Sequence, residues 1–303
     1  MSAACRAVLF AAAAIGCGAA PDGAELPGSD THAAWSPDGR QVAYISNREG
    51  VRAGQPINFE VYVADADGGN PRRLTVNDAF EADLAWSPDG ATILAKSYRD
   101  GNDEIYALGL GDASARNLTN AQSAEGAPSW SPDGRTIVFH SDRDGASRLY
   151  LMEADGSGAR LFPGDPGPGS LPQWSPDGRW IAFVSDRDGN PEIYVVGADG
   201  AGLRRLTTDP RVNGYPRWRP DGAAIVHTTG SFETDRWEIV LTDVASGASR
   251  VLVDSVDSGN AAWSPDGRLL LIGRYSRYGE SGGDESRLYV VNVGTGAARR
   301  LGD

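Results

Sequence analysis

The pentapeptide Trp-Ser-Pro-Asp-Gly begins at Trp35, Trp86, Trp130, Trp174 and Trp263, and Trp218-Arg-Pro-Asp-Gly is a sixth copy. Successive tryptophans are 51, 44, 44, 44 and 45 residues apart. Self-similarity at that period describes an array of supersecondary units, each too small to bury its own apolar face and stable only when stacked on its neighbours. The fourth copy is the most legible: Trp174-Ser-Pro-Asp-Gly178, Ile181-Ala-Phe-Val-Ser185, Asp186-Arg-Asp-Gly189, Glu192-Ile-Tyr-Val-Val196, Ala198-Asp-Gly200 and Arg204-Arg-Leu-Thr207. The apolar runs are short, and the breaks between them carry Gly, Pro, Asp or Asn, so each repeat reads as four strands joined by hairpins. In Pro-Asp-Gly the proline presets φ, the aspartate can bond nearby backbone, and the glycine takes a positive φ.

Runs such as Ile137-Val-Phe139 and Ile181-Ala-Phe-Val184 are apolar at consecutive positions, so both faces of each small sheet must be covered. Six such sheets stacked face to face close radially, which predicts an all-β, six-bladed β-propeller of four-stranded antiparallel blades. About 14 residues lie between residue 20 and the first repeat, too few for a seventh blade. Length alone would suggest two domains; the repeat replaces them with one propeller over 21–303, expected to be monomeric and closed by packing of blade 6 on blade 1. The 39 Gly and 18 Pro fall to its turns. With 41 acidic and 28 basic side chains the net charge is −13, which repels phosphate backbones and argues against nucleic acid as a partner.

Residues 1–20 read as an export signal and short linker: one early charge, Arg6, then the apolar run Ala7 to Gly16. Ten apolar residues cannot span a bilayer, which needs about 20. Ala14-Ile-Gly-Cys17 resembles a bacterial lipobox, with Ala14 where leucine is usual; it implies lipidation at Cys17 and an outer-membrane anchor as the chain's only link to a membrane. The other reading is a plain signal cut near Ala19 or Ala20. Cys5 is removed in either case, so no intramolecular disulfide is expected.

The string Trp-Ser-Pro-Asp-Gly, then Ser-Asp-Arg-Asp-Gly-Asn-Pro-Glu-Ile-Tyr, then Arg-Arg-Leu-Thr resembles the WD40-like repeat of TolB-type periplasmic propellers over nearly all of residues 30–303. The separate N-terminal α/β domain of TolB has no counterpart in this sequence. The resemblance implies a periplasmic, non-enzymatic scaffold that binds an envelope protein, such as a Pal-like lipoprotein, through the propeller.

The repeated residues read as framework: each motif Trp anchors an inner strand against its neighbour, and the carboxylates at Asp100, Asp142, Asp144, Asp186 and Asp188 suit hairpin turns better than Ca²⁺. Sites are sought where the copies differ. Taking strict alternation along the inner strand, the residues five before each Trp (Asp30, Glu81, Glu125, Gly169, Asn213, Ser258) and three before it (His32, Asp83, Ala127, Leu171, Tyr215, Asn260) should lean together toward the channel, with Arg217 and Arg219 of blade 5 on the same parity. The candidate partner or ligand site at the channel mouth is therefore Asp30, His32, Glu81, Asp83, Glu125, Asn213, Tyr215, Arg217, Arg219 and Asn260. Insertions at 47–58 and 276–286, with Arg48, Glu49, Arg52, Tyr278, Glu280 and Asp284, should border that mouth.

Catalytic signatures are scarce. There is no Gly-x-Ser-x-Gly elbow, no His-Glu-x-x-His and no Cys-x-x-Cys. His227 replaces the Phe139 and Phe183 of blades 3 and 4 and reads as a core substitute. No catalytic residue, cofactor or resident metal is expected. The alternative is a metal-dependent propeller lyase or hydrolase acting on a saccharide or lactone, holding Ca²⁺ or another divalent metal on His32, Glu81, Asp83, Glu125 and Asn260 if they converge. Carbohydrate binding would call on Tyr215, Trp180 and Tyr278, which nothing in the sequence groups together.

Overall fold

The computed structural model describes residues 29–48, 58–77, 79–112, 114–234, 236–256, 260–276 and 285–302. The export signal with Cys17, and Glu49, Arg52, Ser258, Tyr278, Glu280 and Asp284 of the predicted mouth and its insertions, lie outside them. Within them the chain is all β and forms six sheets of four consecutive antiparallel strands. Blade 1 runs from β1 (Asp30–Trp35) to β4 (Arg72–Arg73) and blade 2 from β5 (Glu81–Trp86) to β8 (Ala115–Asn117). Blade 3 spans β9 (Glu125–Trp130) to β12 (Arg160–Leu161), and blade 4 spans β13 (Ser170–Trp174) to β16 (Arg204–Arg205). Blade 5 covers β17 (Val212–Trp218) to β20 (Ser249–Val256), and blade 6 covers β21 (Ala261–Trp263) to β24 (Ala298–Arg300). No helix among the described residues is long and apolar enough to cross a membrane.

The continuous apolar runs serve two interfaces at once. In the second strand of blade 4, Ile181 and Phe183 pack with Val138, Leu149 and Leu151 of blade 3, while Ala182 and Val184 pack with Trp218 and Ile225 of blade 5. Each fully buried side chain of this kind contributes about 1.5–3 kcal/mol. The ring closes the same way. Blade 6 keeps its own four strands, and Leu271, Leu288 and Val290 pack on Val42, Tyr44 and Tyr62 of blade 1. Two bonds stitch the seam, Gly302 N–H to Asp67 O at 2.9 Å and Ser286 N–H to Ser29 Oγ at 3.2 Å.

The repeated polar residues have structural tasks. In the first turn Ser36 Oγ donates to Asp38 Oδ1 at 2.7 Å and accepts from Gln41 N–H at 2.9 Å, with Gly39 at φ 70°. Ser87, Ser131, Ser175 and Ser264 repeat this arrangement with Asp89, Asp133, Asp177 and Asp266. Asp100, Asp144 and Asp188 accept from the hydroxyls of Tyr106, Tyr150 and Tyr194. The indole of Trp86 donates to Ala34 O of blade 1 at 3.1 Å, and that of Trp218 to Gln173 O of blade 4 at 3.2 Å, so these two tryptophans tie their inner strands to the preceding blade, while the indole N–H groups of Trp35, Trp130, Trp174 and Trp263 have no partner among the described residues. All six motif tryptophans also line one cavity of about 380 Å³, to which every blade contributes. It is one mouth of the central channel.

Candidate partner-binding channel

The inner strands do not alternate strictly. In blade 2 Ala82 pairs with Lys96 and Ala85 with Leu94, so β5 advances three residues while its neighbour advances two. The same extra residue occurs in blades 1, 3, 4 and 5. It is a β-bulge, and in these five blades the residue three before the Trp takes a left-handed conformation: His32 at φ 46°, Asp83 at 53°, Ala127 at 46°, Leu171 at 52° and Tyr215 at 51°. None is glycine, so each position stores strain of about 1–2 kcal/mol. An extra residue reverses the facing of everything before it. The expected common face is thereby split in two.

Residues five before the Trp share a face with the serine or threonine of the second strand and the residue beyond it. Glu81, fully buried, accepts from Arg99 at 2.7 Å, Asn77 at 2.8 Å and Ser97 at 3.1 Å. Glu125 is bound likewise by Arg143 at 3.1 Å and Ser141 at 2.9 Å, and Asp30 by Arg48 at 3.0 Å. Arg48 thus belongs to the framework rather than to a recognition lip. Asn213 donates to Glu192 at 3.1 Å and accepts from Thr229 at 2.6 Å. Arg219 pairs with Asp221 at 3.3 Å in the turn beyond Trp218 and is not part of the same group. Asp30, Glu81, Glu125 and Asn213 are joints of the scaffold.

The bulge residues of blades 1, 2 and 5 come within electrostatic range of one another, His32 and Tyr215 each lying in the field of Asp83 and Arg217, and Asp83 reaches across to accept from the Ala127 N–H of blade 3 at 3.2 Å. Two side chains absent from the expected site join them, Lys96 and His140, each ten residues after its Trp. Gly126 makes room: a Cβ there would stand 2.8 Å from His140 Cε1 and 3.3 Å from Lys96 Cδ. The missed signal was that Lys96 is the chain's single lysine and sits inside a strand where blades 1 and 4 have Ile45 and Val184. Asn260, the blade 6 counterpart, is buried with its Oδ1 unpartnered among the described residues.

Burial of this group sets its charge states. It depresses His32, and it lowers His140 to about 4 against the weaker pull of Asp83. Burial works to raise Asp83, but Lys96, the two imidazoles and the Ala127 N–H, at 3.2 Å, outweigh it and hold the carboxyl below its usual range. Burial likewise works against Lys96, whose ammonium is nonetheless kept raised by Asp83 and by Asp103 at 3.4 Å. Arg217 is lowered by burial, yet a guanidinium stays protonated in proteins. At neutral pH the channel therefore presents one carboxylate, two cations and two neutral imidazoles. That arrangement can donate to and accept from a polar chain lying in the channel. The set weighed for a divalent metal is not assembled, since Glu81 and Glu125 are turned to their arginines. Among the described residues, no three His, Cys, Asp or Glu side chains come together as metal ligands.

The sequence profile of the TolB beta propeller domain matches residues 82–164 and 118–302. The chain belongs to this family. A 60-residue stretch is 43% identical to the "uncharacterized peptidase YuxL" of Bacillus subtilis (strain 168), and a 61-residue stretch is 36% identical to the "Tol-Pal system protein TolB" of Desulfosudis oleivorans. Each stretch is 20% of this chain, and they cover 8% and 12% of those relatives' own lengths. Among solved structures, TolB from Acinetobacter baumannii superposes with TM-score 0.72 at 20% identity over 92% of this chain and 64% of that one. A putative TolB from Agrobacterium tumefaciens gives 0.66 at 27% identity over 80% and 87%. A manganese-bound oligogalacturonate lyase gives 0.61 at 16% identity over 91% and 78%, a likeness of fold alone.

Proposed function

We propose that the protein is a non-enzymatic, exported, TolB-like propeller of the bacterial cell envelope that binds a partner protein through its central channel. The observation that carries this reading is that His32, Asp83, Tyr215, Arg217, Lys96 and His140, none of them a repeated residue, lie within electrostatic range of one another in a TolB-family propeller, with Lys96 and His140 both against Gly126 and Asp83 bonded to Ala127 N–H. Framework residues recur in every blade because each blade needs them; a group that occurs once answers to something else, and binding residues collect on rigid scaffolds. The partner is expected to be periplasmic, a Pal-like lipoprotein being the first candidate. Since the chain carries −13, a basic partner surface would be steered toward it, with an on-rate that falls as salt rises.

A photo-crosslinking amino acid placed at Gln173, which lines the channel mouth, should capture an envelope protein in native membranes, whereas the same group at the exposed Leu203 should not. Equal capture at both positions, or none at Gln173, would refute the reading. Saccharide turnover by the purified protein would favour a channel lyase in its place.

A further inference from the structure

Blade 5 breaks the framework at one column. In the other blades Tyr62, Tyr106, Tyr150, Tyr194 and Tyr289 occupy the third strand, each with an arginine over its ring at 4.2–5.6 Å. In blade 5 that position is Val240, paired with His227 where Tyr194 of blade 4 pairs with Phe183, and Ser231 stands at the place of Arg187. Tyrosine and arginine are both gone. A cavity of about 370 Å³ opens there, between the connection from blade 4 and the outer strand of blade 5.

Its walls combine two chemistries. Val240, Val251 and Leu206 give an apolar floor. Above it runs a relay of groups that both donate and accept: His227 Nδ1 to Thr229 Oγ1 at 3.2 Å, His227 Nε2 to Thr242 Oγ1 at 2.8 Å, and Thr242 Oγ1 to Ser249 Oγ at 2.8 Å. His227 is 2% exposed, and burial lowers it to about 4, so the relay is uncharged at neutral pH. The ionic groups at the edge balance one another: Arg211 pairs with Asp209 and with Glu238, both at 2.9 Å, and Arg250 adds a second cation. An anion would meet Asp209, and a cation would meet the arginines.

We propose that this cavity is a binding site for a small, neutral, polyhydroxylated molecule of monosaccharide or cyclitol size. Hydroxyl groups on the ligand would meet the Ser249 hydroxyl, at the exposed end of the relay, and the Asp209 and Arg250 side chains at the edge, and its C–H face would lie on Val240 and Val251; Thr229, which donates to Asn213, and His227, whose ring nitrogens are both engaged, hold the relay in place from behind. The volume falls at the lower end of the range of about 300–1,000 Å³ for small-molecule sites. The site is separate from the channel and does not depend on it.

The test is saturation-transfer NMR on the full chain with myo-inositol, D-glucose and N-acetyl-D-glucosamine, and with cyclohexanol, glucuronate and glucosamine as contrasts. At least one of the neutral polyols should bind saturably, cyclohexanol should not, and neither charged sugar should bind more tightly. Val240→Tyr, which restores the residue of the other blades, should weaken binding at least about tenfold. Should that variant fail to fold, Val251→Trp obstructs the same cavity from a position 49% exposed and should act alike. Absence of saturable polyol binding, binding unchanged in the obstructed variants, or tighter binding of a charged sugar would overturn the proposal.

Discussion

Arg99→Ala would leave the Glu81 carboxylate buried without its cation. Glu81 has no exposed surface, its Oε2 has no partner among the described residues, and burial already pushes its pKa upward, with Arg99 the largest opposing influence. Removing one member of a buried ion pair costs about 3–5 kcal/mol. The Arg99 side chain is 20% exposed, which favours the lower end, and losing its stack over Tyr106 at 4.2 Å adds about 0.5–1 kcal/mol. The expected loss is about 3–4 kcal/mol, or about 6–8 °C in Tm at about 2 °C per kcal/mol for a chain of this size. Its pH dependence is the sharper signature. A folded-state pKa raised above the unfolded value favours the neutral acid in the fold. The penalty is therefore full above that raised value and fades as pH falls toward the unfolded carboxylate range of about 4.3. Urea unfolding followed by tryptophan fluorescence should give a smaller loss at about pH 4.5 than at about pH 7.5, and Arg99→Ala/Glu81→Gln should recover most of it. An equal loss at both pH values, or a double variant no better than the single, would refute the account of Glu81 as a buried framework acid.

Three further outcomes are expected. Lys96, the only lysine, should acylate slowly at mildly alkaline pH because Asp83 and Asp103 hold its ammonium, and Asp83→Asn should speed labelling as read by mass spectrometry. His140 and His227, both lowered by burial to about 4 from an unfolded value of about 6.5, contribute stability above pH 6.5 that is lost as pH falls through 4. The urea midpoint should decline over that window, and less steeply in His227→Phe, which installs the residue of blades 3 and 4. Gly126→Ala would drive a Cβ to 2.8 Å from His140 Cε1, costing about 1–3 kcal/mol in overpacking and displacing the His140 ring signals in NMR spectra.

The sequence by itself determined the architecture. Six Trp-x-Pro-Asp-Gly signals at a nearly constant period can be satisfied only by repeated hairpins, and doubly apolar strands such as Ile181–Val184 require cover on both sides. Blade number, turn chemistry and the structural task of the tryptophans follow from such local rules. His227 could be recognised as a departure because its counterparts in blades 3 and 4 are aromatic, although the cavity beside it could not: that depends on Val240, Ser249 and the blade 4 connection meeting in space.

The channel was legible only in part. His32, Asp83 and Tyr215 stood out because their positions vary between copies, while Glu81, Glu125 and Asn213 were grouped with them by an alternation that the chain does not keep. The bulge that divides them lies at His32, Asp83, Ala127, Leu171 and Tyr215, five residue types with no shared preference for positive φ. Strand pairing imposes that conformation, since the inner strand must fit one extra residue against a shorter partner, and no local propensity announces it. His140 stands opposite Gly126 in the blade 3 hairpin, whereas Lys96 reaches the same glycine from blade 2, a contact that only the packing of neighbouring blades makes.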